Sequence, residues 1–435
     1  CLPNAAARVH FSADDDAPHY VDALSRENGA TPTRDDDGWT ATAWHAGECL
    51  AYRAALGRIV DSGRRSGGAR HGNSMVLDPT LWLLRVDGDY APAEARVELP
   101  AGFSISAPWH SMPSASGEKR FSIPRTPEDW MGRVAIGRFD EKPIALAGGT
   151  LRLSIVDGVD AAQRSKLEAW IAHVSHAALS AYGKLPLADV QVLMVPVPAE
   201  NHEPVVFGQS TRGEGHGVTL FVDATESAAA FDRDWVAVHE LSHLFHPYLG
   251  DRGSWLAEGL ATYYQNVLRA RAGLLTPAQA WEQIDAGFAR GRRSMQPHGA
   301  VTLERASAGT DGRHDFMRIY WSGTAYWLET DAELRRASGN RLSVDEAMRR
   351  FDACCLPSYT AWEPADFVAK LDTLLGTDVF GKRFKEYDAR RDFPNLDPLY
   401  RDFGIKRKGD ALDYDDNAPA AAVRRAIMAP RTSSQ

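Results

Sequence analysis

The sequence has only four cysteines in 435 residues, Cys1, Cys49, Cys354 and Cys355. That is too few for a disulfide-stapled scaffold, so buried apolar surface must hold the fold. Adjacent cysteines such as Cys354 and Cys355 rarely bond each other, and a bridge from Cys49 to one of them is open in an oxidising compartment. No apolar run approaches the roughly 20 residues that span a bilayer, which excludes a transmembrane helix. There is no excess of positive charge: the formal net charge is −9 and no basic stretch stands out. A nucleic-acid partner is therefore not expected, because phosphates would find nothing to neutralise them. Also missing are a 20–50-residue repeat and a long low-complexity tract, which excludes a solenoid. The chain opens on Cys1 with neither methionine nor signal peptide, and the expectation is that something has been removed or trimmed. One expectation is a bacterial lipoprotein with lipid on Cys1, held at the cell envelope or in the periplasm, or a secreted chain; the other is a chain cut at a convenient point. The heavy use of Ala, Arg and Asp suggests a GC-rich bacterial gene.

What is present is a globular composition, with 44% hydrophobic and 25% charged residues. The length calls for two or three domains. Residues 1–148 read as a β-rich N-terminal domain. Trp39–Trp44 has strand-like residues, Leu81–Val86 is a short apolar run, and Ala95–Pro100 alternates as a half-buried strand should. Turn-rich stretches at 62–68 and 113–117 separate them. The acidic triplets Asp14–Asp16 and Asp35–Asp37 lack the spacing and glycine of a calcium loop and read as solvated loops. Beyond Gly148 the pattern changes. Leu151–Val156 alternates as a strand, 160–182 carries Leu167, Ile171, Val174 and Ala178 at helical spacing up to Gly183, and Val190–Val195 and Val218–Val222 are further strands. From Asp232 the chain is mostly helical, and Gly404–Met428 looks ordered. The expected architecture is α+β and multidomain: the β-rich domain, a catalytic domain over 149–350, and a helical C-terminal region over 351–435 with a short tail.

The segment Trp235-Val236-Ala237-Val238-His239-Glu240-Leu241-Ser242-His243 contains an HExxH arrangement. At 3.6 residues per turn, positions i and i+4 share one face, so both imidazoles reach one ion. Glu240 is offset toward a metal-bound water. Val236, Leu241, Leu244 and Phe245 mark a buried helix that ends before Pro247. Ser254 then reads as the N-cap of a second helix to about Ala272, with Glu258 near its start. A helix, a turn and a second helix return Glu258 to the histidines. Two histidines and one glutamate leave the fourth zinc position open, the pattern of a catalytic rather than structural site. Gly259 costs helix stability, which points to close packing just after the ligand.

With these residues in view, HELSH followed by WLAEGLATYY resembles the gluzincins, the thermolysin-like clan of zinc peptidases, and within it the glycyl aminopeptidase and aminopeptidase N families. Ala181–Pro186 is similar to the opening of their catalytic domain. Ile319–Ala325 resembles their Tyr-x-x-Gly segment, with Tyr320 at the place of the oxyanion-stabilising tyrosine. The resemblance implies a thermolysin-like catalytic domain, zinc held by His239, His243 and Glu258, and a peptide substrate. It also implies Glu240 as general base and aminopeptidase-type hydrolysis. Three features depart from the pattern. The 14 residues between His243 and Glu258 are fewer than in aminopeptidase N or thermolysin. No Gly-x-Met-Glu-Asn motif precedes the HExxH helix, and Gly213-Glu214-Gly215-His216-Gly217 stands in roughly that region. Thr262 stands where the clan often places an acid that supports a histidine ligand.

Neutral imidazoles are needed to bind metal, so activity should fall in acid. Two alternatives remain open beside the aminopeptidase reading: a cell-surface binding or scaffold protein that keeps the fold without turnover, and a zinc endopeptidase. His246 and His314 read as surface or second-layer residues, and Trp321, Tyr326 and Trp327 as helix packing.

Overall fold

The run Val190–Val195 has no polar face to offer water, and it forms the centre of a five-stranded mixed sheet. The computed structural model describes residues 1–12, 14–62, 68–87, 92–114, 118–127, 129–295, 301–309, 316–409 and 411–431. His314 and parts of the turn-rich stretches, 63–67 and 115–117, lie outside them. The sheet runs Glu141–Leu146, Gly149–Ile155, Asp189–Pro196, Gly217–Val222, Val205–Thr211. The second to fourth strands are parallel, in register Leu153↔Val192 and Val192↔Val218, and the edge strand 205–211 returns antiparallel. Parallel strands are covered on both faces, so the alternating strand at 151–156 lies in the core despite its polar residues. Arg152 and Ser154 are buried along with the leucines beside them. Arg152 tolerates that burial because Asp189 at 2.7 Å and Glu141 at 3.0 Å pair its charge and the carbonyls of Ala107 and Trp109 accept from its Nη2.

The N-terminal residues are β-rich as expected. Ala6–Ser12 pairs antiparallel with Gly38–Trp44, Ser74–Leu77 with Val134–Gly137, and Ala93–Val97 with Lys119–Ile123. A cluster of Trp82, Trp109, Phe121, Leu77 and Ile136 forms one core. The structure pairs Cys1 with Cys49 and, against the expectation for adjacent cysteines, Cys354 with Cys355. Backbone bonds from Leu2 N to Glu48 O and from Gly47 N to Leu2 O bring the first residues beside Cys49.

Compactness groups the residues into two units: Cys1–Ile144, Thr150–Ser165 and Asp189–Thr225 in the first; Ala145–Gly149, Lys166–Ala188 and Glu226–Gln435 in the second. The second unit is helical. Two of its members are the glutamate helix, Ser254–Arg271, and the tyrosine helix, Phe316–Ser338. They cross where glycine faces glycine. A Cβ on Gly259 would lie 2.4 Å from the Gly323 backbone, and one on Gly323 would lie 2.0 Å from the Trp255 carbonyl oxygen. The close packing expected at Gly259 is therefore real, and its partner is Gly323. Trp327 Nε1 donates to Leu256 O at 2.8 Å beside the crossing, so this tryptophan packs helices as expected. Two turns further on, Tyr263 and Arg335 both donate to the buried Asp331 carboxylate at 2.8 Å. The C-terminal region adds a small antiparallel pair, Ile405–Lys408 with Ala411–Tyr414, and a closing helix Ala421–Met428 whose Ile427 carbonyl accepts from Arg271. Among the described residues no helix is long and apolar enough to cross a membrane.

Gly323→Ala should lower the unfolding free energy by about 1–3 kcal/mol, because the new methyl overpacks a backbone contact and outweighs the roughly 1 kcal/mol of helix propensity it gains. Urea unfolding of the metal-free protein checks this; an unchanged or raised midpoint would contradict the crossing.

Candidate active site

The short helix Val236–Ser242 is apolar on nearly every face and entirely buried. It tightens to a 3-10 turn at His243–Phe245 and stops, as expected, before Pro247. His239 and His243 stand one turn apart on it, and their Nε2 atoms converge on one carboxylate. Glu258 Oε2 lies 3.1 Å from His239 Nε2 and 3.5 Å from His243 Nε2. One donor atom from each of the three residues fits within 4.8 Å of the others.

Glu258 arrives there by a slightly different local route from the one expected. Ser254 is not the N-cap. A 3-10 turn, Asp251–Gly253, leads straight into the helix, Gly253 takes the cap position, and the Ser254 hydroxyl meets Ser307 Oγ at 2.7 Å instead. The helix therefore begins at Ser254, one residue earlier than a cap at Ser254 would place it.

Each histidine has its outer nitrogen occupied. His239 Nδ1 lies 2.8 Å from Gln265 Oε1, and His243 Nδ1 lies 3.0 Å from His246 Nε2. The Thr262 position, where the clan's acid was sought, contributes nothing: its buried hydroxyl has no hydrogen-bond partner. Gln265 was missed. It stands seven residues after Glu258, two full turns on, so it shares the ligand's face; the signal was present as a second polar residue at helical spacing.

Tyr320 stacks on His239, with ring centroids 5.7 Å apart and planes 11° from parallel, while Trp235 meets the same imidazole edge-on at 5.5 Å. Burial raises the Tyr320 pKa, and the neighbouring Glu258 and Glu240 carboxylates raise it further, so the phenol keeps its proton. Burial works against ionised Glu258, yet the charge of His243 and the hydrogen bonds of both histidines hold its pKa well below the usual carboxylate range. For His239, burial lowers the pKa, but Glu258, Glu240 and Gln265 together leave it above the ordinary imidazole value. Glu240 follows His239 on the helix and is buried. Two imidazoles and one carboxylate with a single focus are a donor set that suits zinc.

Glu214 belongs to the other compact unit. Its carboxylate accepts from Arg85, with Nε at 3.1 Å, and faces Trp109 Nε1 at 3.5 Å, while its backbone holds a φ of 60° that non-glycine residues seldom adopt.

Residues 241–325, which hold His243, Glu258 and Tyr320, match the family described as M61 glycyl aminopeptidase. No curated protein sequence matches the chain. Among solved structures, the chain is similar to an aminopeptidase N family protein from Idiomarina loihiensis (TM-score 0.67, 14% identity, 92% of this chain and 74% of that one). It is also similar to an M1 zinc metallopeptidase from Deinococcus radiodurans bound to a Tyr-Ser-Ala substrate (TM-score 0.55, 16% identity, 90% and 88%). Yeast LTA4 hydrolase in complex with bestatin gives a TM-score of 0.55 at 12% identity, over 91% of this chain and 66% of that one. At such identities these likenesses establish the fold alone, and the expected multidomain α+β architecture is borne out.

Gln265→Leu should weaken zinc binding about 10–100-fold by freeing the His239 ring, whereas Thr262→Val, which removes a hydroxyl with no partner, should leave it unchanged. Competition against a chelating dye measures both; equal effects would undo the assignment of Gln265.

Proposed function

We propose that this chain, which has the fold and the core segment of a gluzincin zinc metallopeptidase, hydrolyses peptide bonds and releases residues from the amino end of peptides. The observation that carries this reading is the convergence of His239 Nε2, His243 Nε2 and a Glu258 oxygen within 4.8 Å. Gln265 and His246 take up the outer nitrogens, so the inner ones face a shared focus. Such a set holds zinc with one position left for water or substrate. Bound there, zinc supplies Lewis-acid polarisation of the scissile carbonyl and a lowered pKa for its water.

The chain's own residues do the rest. Glu240, next to His239 on the buried helix, takes the proton from the attacking water and returns it to the leaving amine. Tyr320, whose phenol stays protonated beside Glu258, donates to the carbonyl oxygen as negative charge develops there. The walls of the site, with His239 packed between Trp235 and Tyr320, hold the reacting groups in a largely buried place where such interactions are strong.

A second reading, an endopeptidase, is favoured by one observation. The carboxylate of the loop that stands in for the amine-anchoring motif, Glu214, is already engaged by Arg85 and Trp109. Cleavage of a mixed peptide library, read by mass spectrometry, separates the two: stepwise loss of amino-terminal residues supports the first, internal cuts the second. No cuts despite stoichiometric zinc would leave a binding protein without turnover.

Glu240→Gln should retain zinc and lose about 100–10,000-fold in kcat. Tyr320→Phe should lose about 100–1,000-fold in kcat with little change in KM or zinc content. Full activity in a zinc-loaded Glu240→Gln protein would sink the proton-transfer assignment.

A further inference from the structure

His246 follows the HExxH helix and is buried at 3% exposure, and the peptidase mechanism gives it no task. Its backbone explains where it points. The residue before a proline avoids the α region, and His246 is extended at φ −136° and ψ 157° directly after the 3-10 turn. The break in the helix turns its ring back under His243, edge to face, with centroids 5.3 Å apart.

The hydrogen bonds then have a fixed direction. His246 Nδ1 lies 2.7 Å from the Pro247 carbonyl oxygen. A carbonyl can only accept, so Nδ1 carries the proton. In a neutral imidazole the other nitrogen is then an acceptor. That atom, His246 Nε2, is 3.0 Å from His243 Nδ1, so His243 Nδ1 must donate. His243 is left with its lone pair on Nε2, the atom 3.5 Å from Glu258 Oε2. The chain of bonds runs from a backbone carbonyl, through one imidazole, to the lone pair of the next.

We propose that His246 is a positioning residue that sets the tautomer and ring plane of His243 for metal binding. The proposal rests on the reading of His239, His243 and Glu258 as zinc ligands. Ligand histidines need a partner on the outer nitrogen, since that bond decides which nitrogen is free and how the ring is aimed. His239 receives this from Gln265 in one step. His243 receives it from His246 in two, with Pro247 O as the fixed end.

The test compares the full-length wild type with His246→Phe and His246→Gln. Zinc dissociation constants come from chelator competition and metal-free stability from thermal melting. Phenylalanine fills the place of the ring but neither donates nor accepts, and should weaken zinc about 10–100-fold with metal-free melting close to wild type. The glutamine amide restores an acceptor for His243 Nδ1 and should recover most of that loss. Equal zinc affinity in wild type and His246→Phe overturns the proposal, as does an equal loss in both variants, which would mark a packing role. Wild type that fails to bind stoichiometric zinc overturns the metal reading itself, a separate outcome. Should the variants fail to fold, ¹⁵N NMR of the imidazoles in zinc-loaded wild type decides: a proton on His246 Nδ1 supports the proposal and one on Nε2 overturns it.

Discussion

Everything at the candidate site depends on two glycines that let two helices touch. Gly259 and Gly323 have no Cβ because there is no space for one, with the opposing backbone as near as 2.0 Å to where it would sit. Glu258 immediately precedes the first glycine, and Tyr320 stands nearly one turn before the second. Bringing the backbones together therefore brings a carboxylate and a phenol to one place, beside the imidazole of His239. The contact is held on one side by Trp327 on the Leu256 carbonyl and on the other by Tyr263 and Arg335 on Asp331. A buried carboxylate with two donors, and a backbone N–H from Val344 at 2.7 Å as a third, is costly to break and so fixes the register of the two helices.

The electrostatics of the site follow from that geometry. Glu258 is kept ionised by the imidazoles it faces, and its charge in turn keeps the Tyr320 proton in place. Opposite shifts on neighbouring groups are characteristic of sites that do acid–base chemistry. Here environment sets both: Glu258 is held negative and Tyr320 neutral.

Much of this was legible in the sequence, because its strongest signals are local. An i, i+4 histidine pair on an apolar helix needs no tertiary information, and a glycine within a helix announces a close neighbour without naming it. The strands at 39–44, 190–195 and 218–222, and the long helix after Asp160, were legible for the same reason. What the pattern could not carry was partnership across the fold. Arg152 alternates with leucines like a surface residue, and only the arrival of Asp189 and Glu141 explains its burial. The support for His239 was sought one turn from Glu258 at Thr262 and is found two turns away at Gln265. Ser254 has the chemistry of a cap, but a preceding 3-10 turn moved the cap to Gly253. The pairing of Cys1 with Cys49 depends on backbone bonds that no cysteine spacing reveals.

The most direct test of the account is X-ray absorption at the zinc edge on protein loaded with one equivalent of the metal. The account predicts a nitrogen and oxygen shell with two imidazoles, and loss of the bound zinc in Glu258→Ala. A shell containing sulfur, or a bound zinc that ignores the Glu258 substitution, would contradict it.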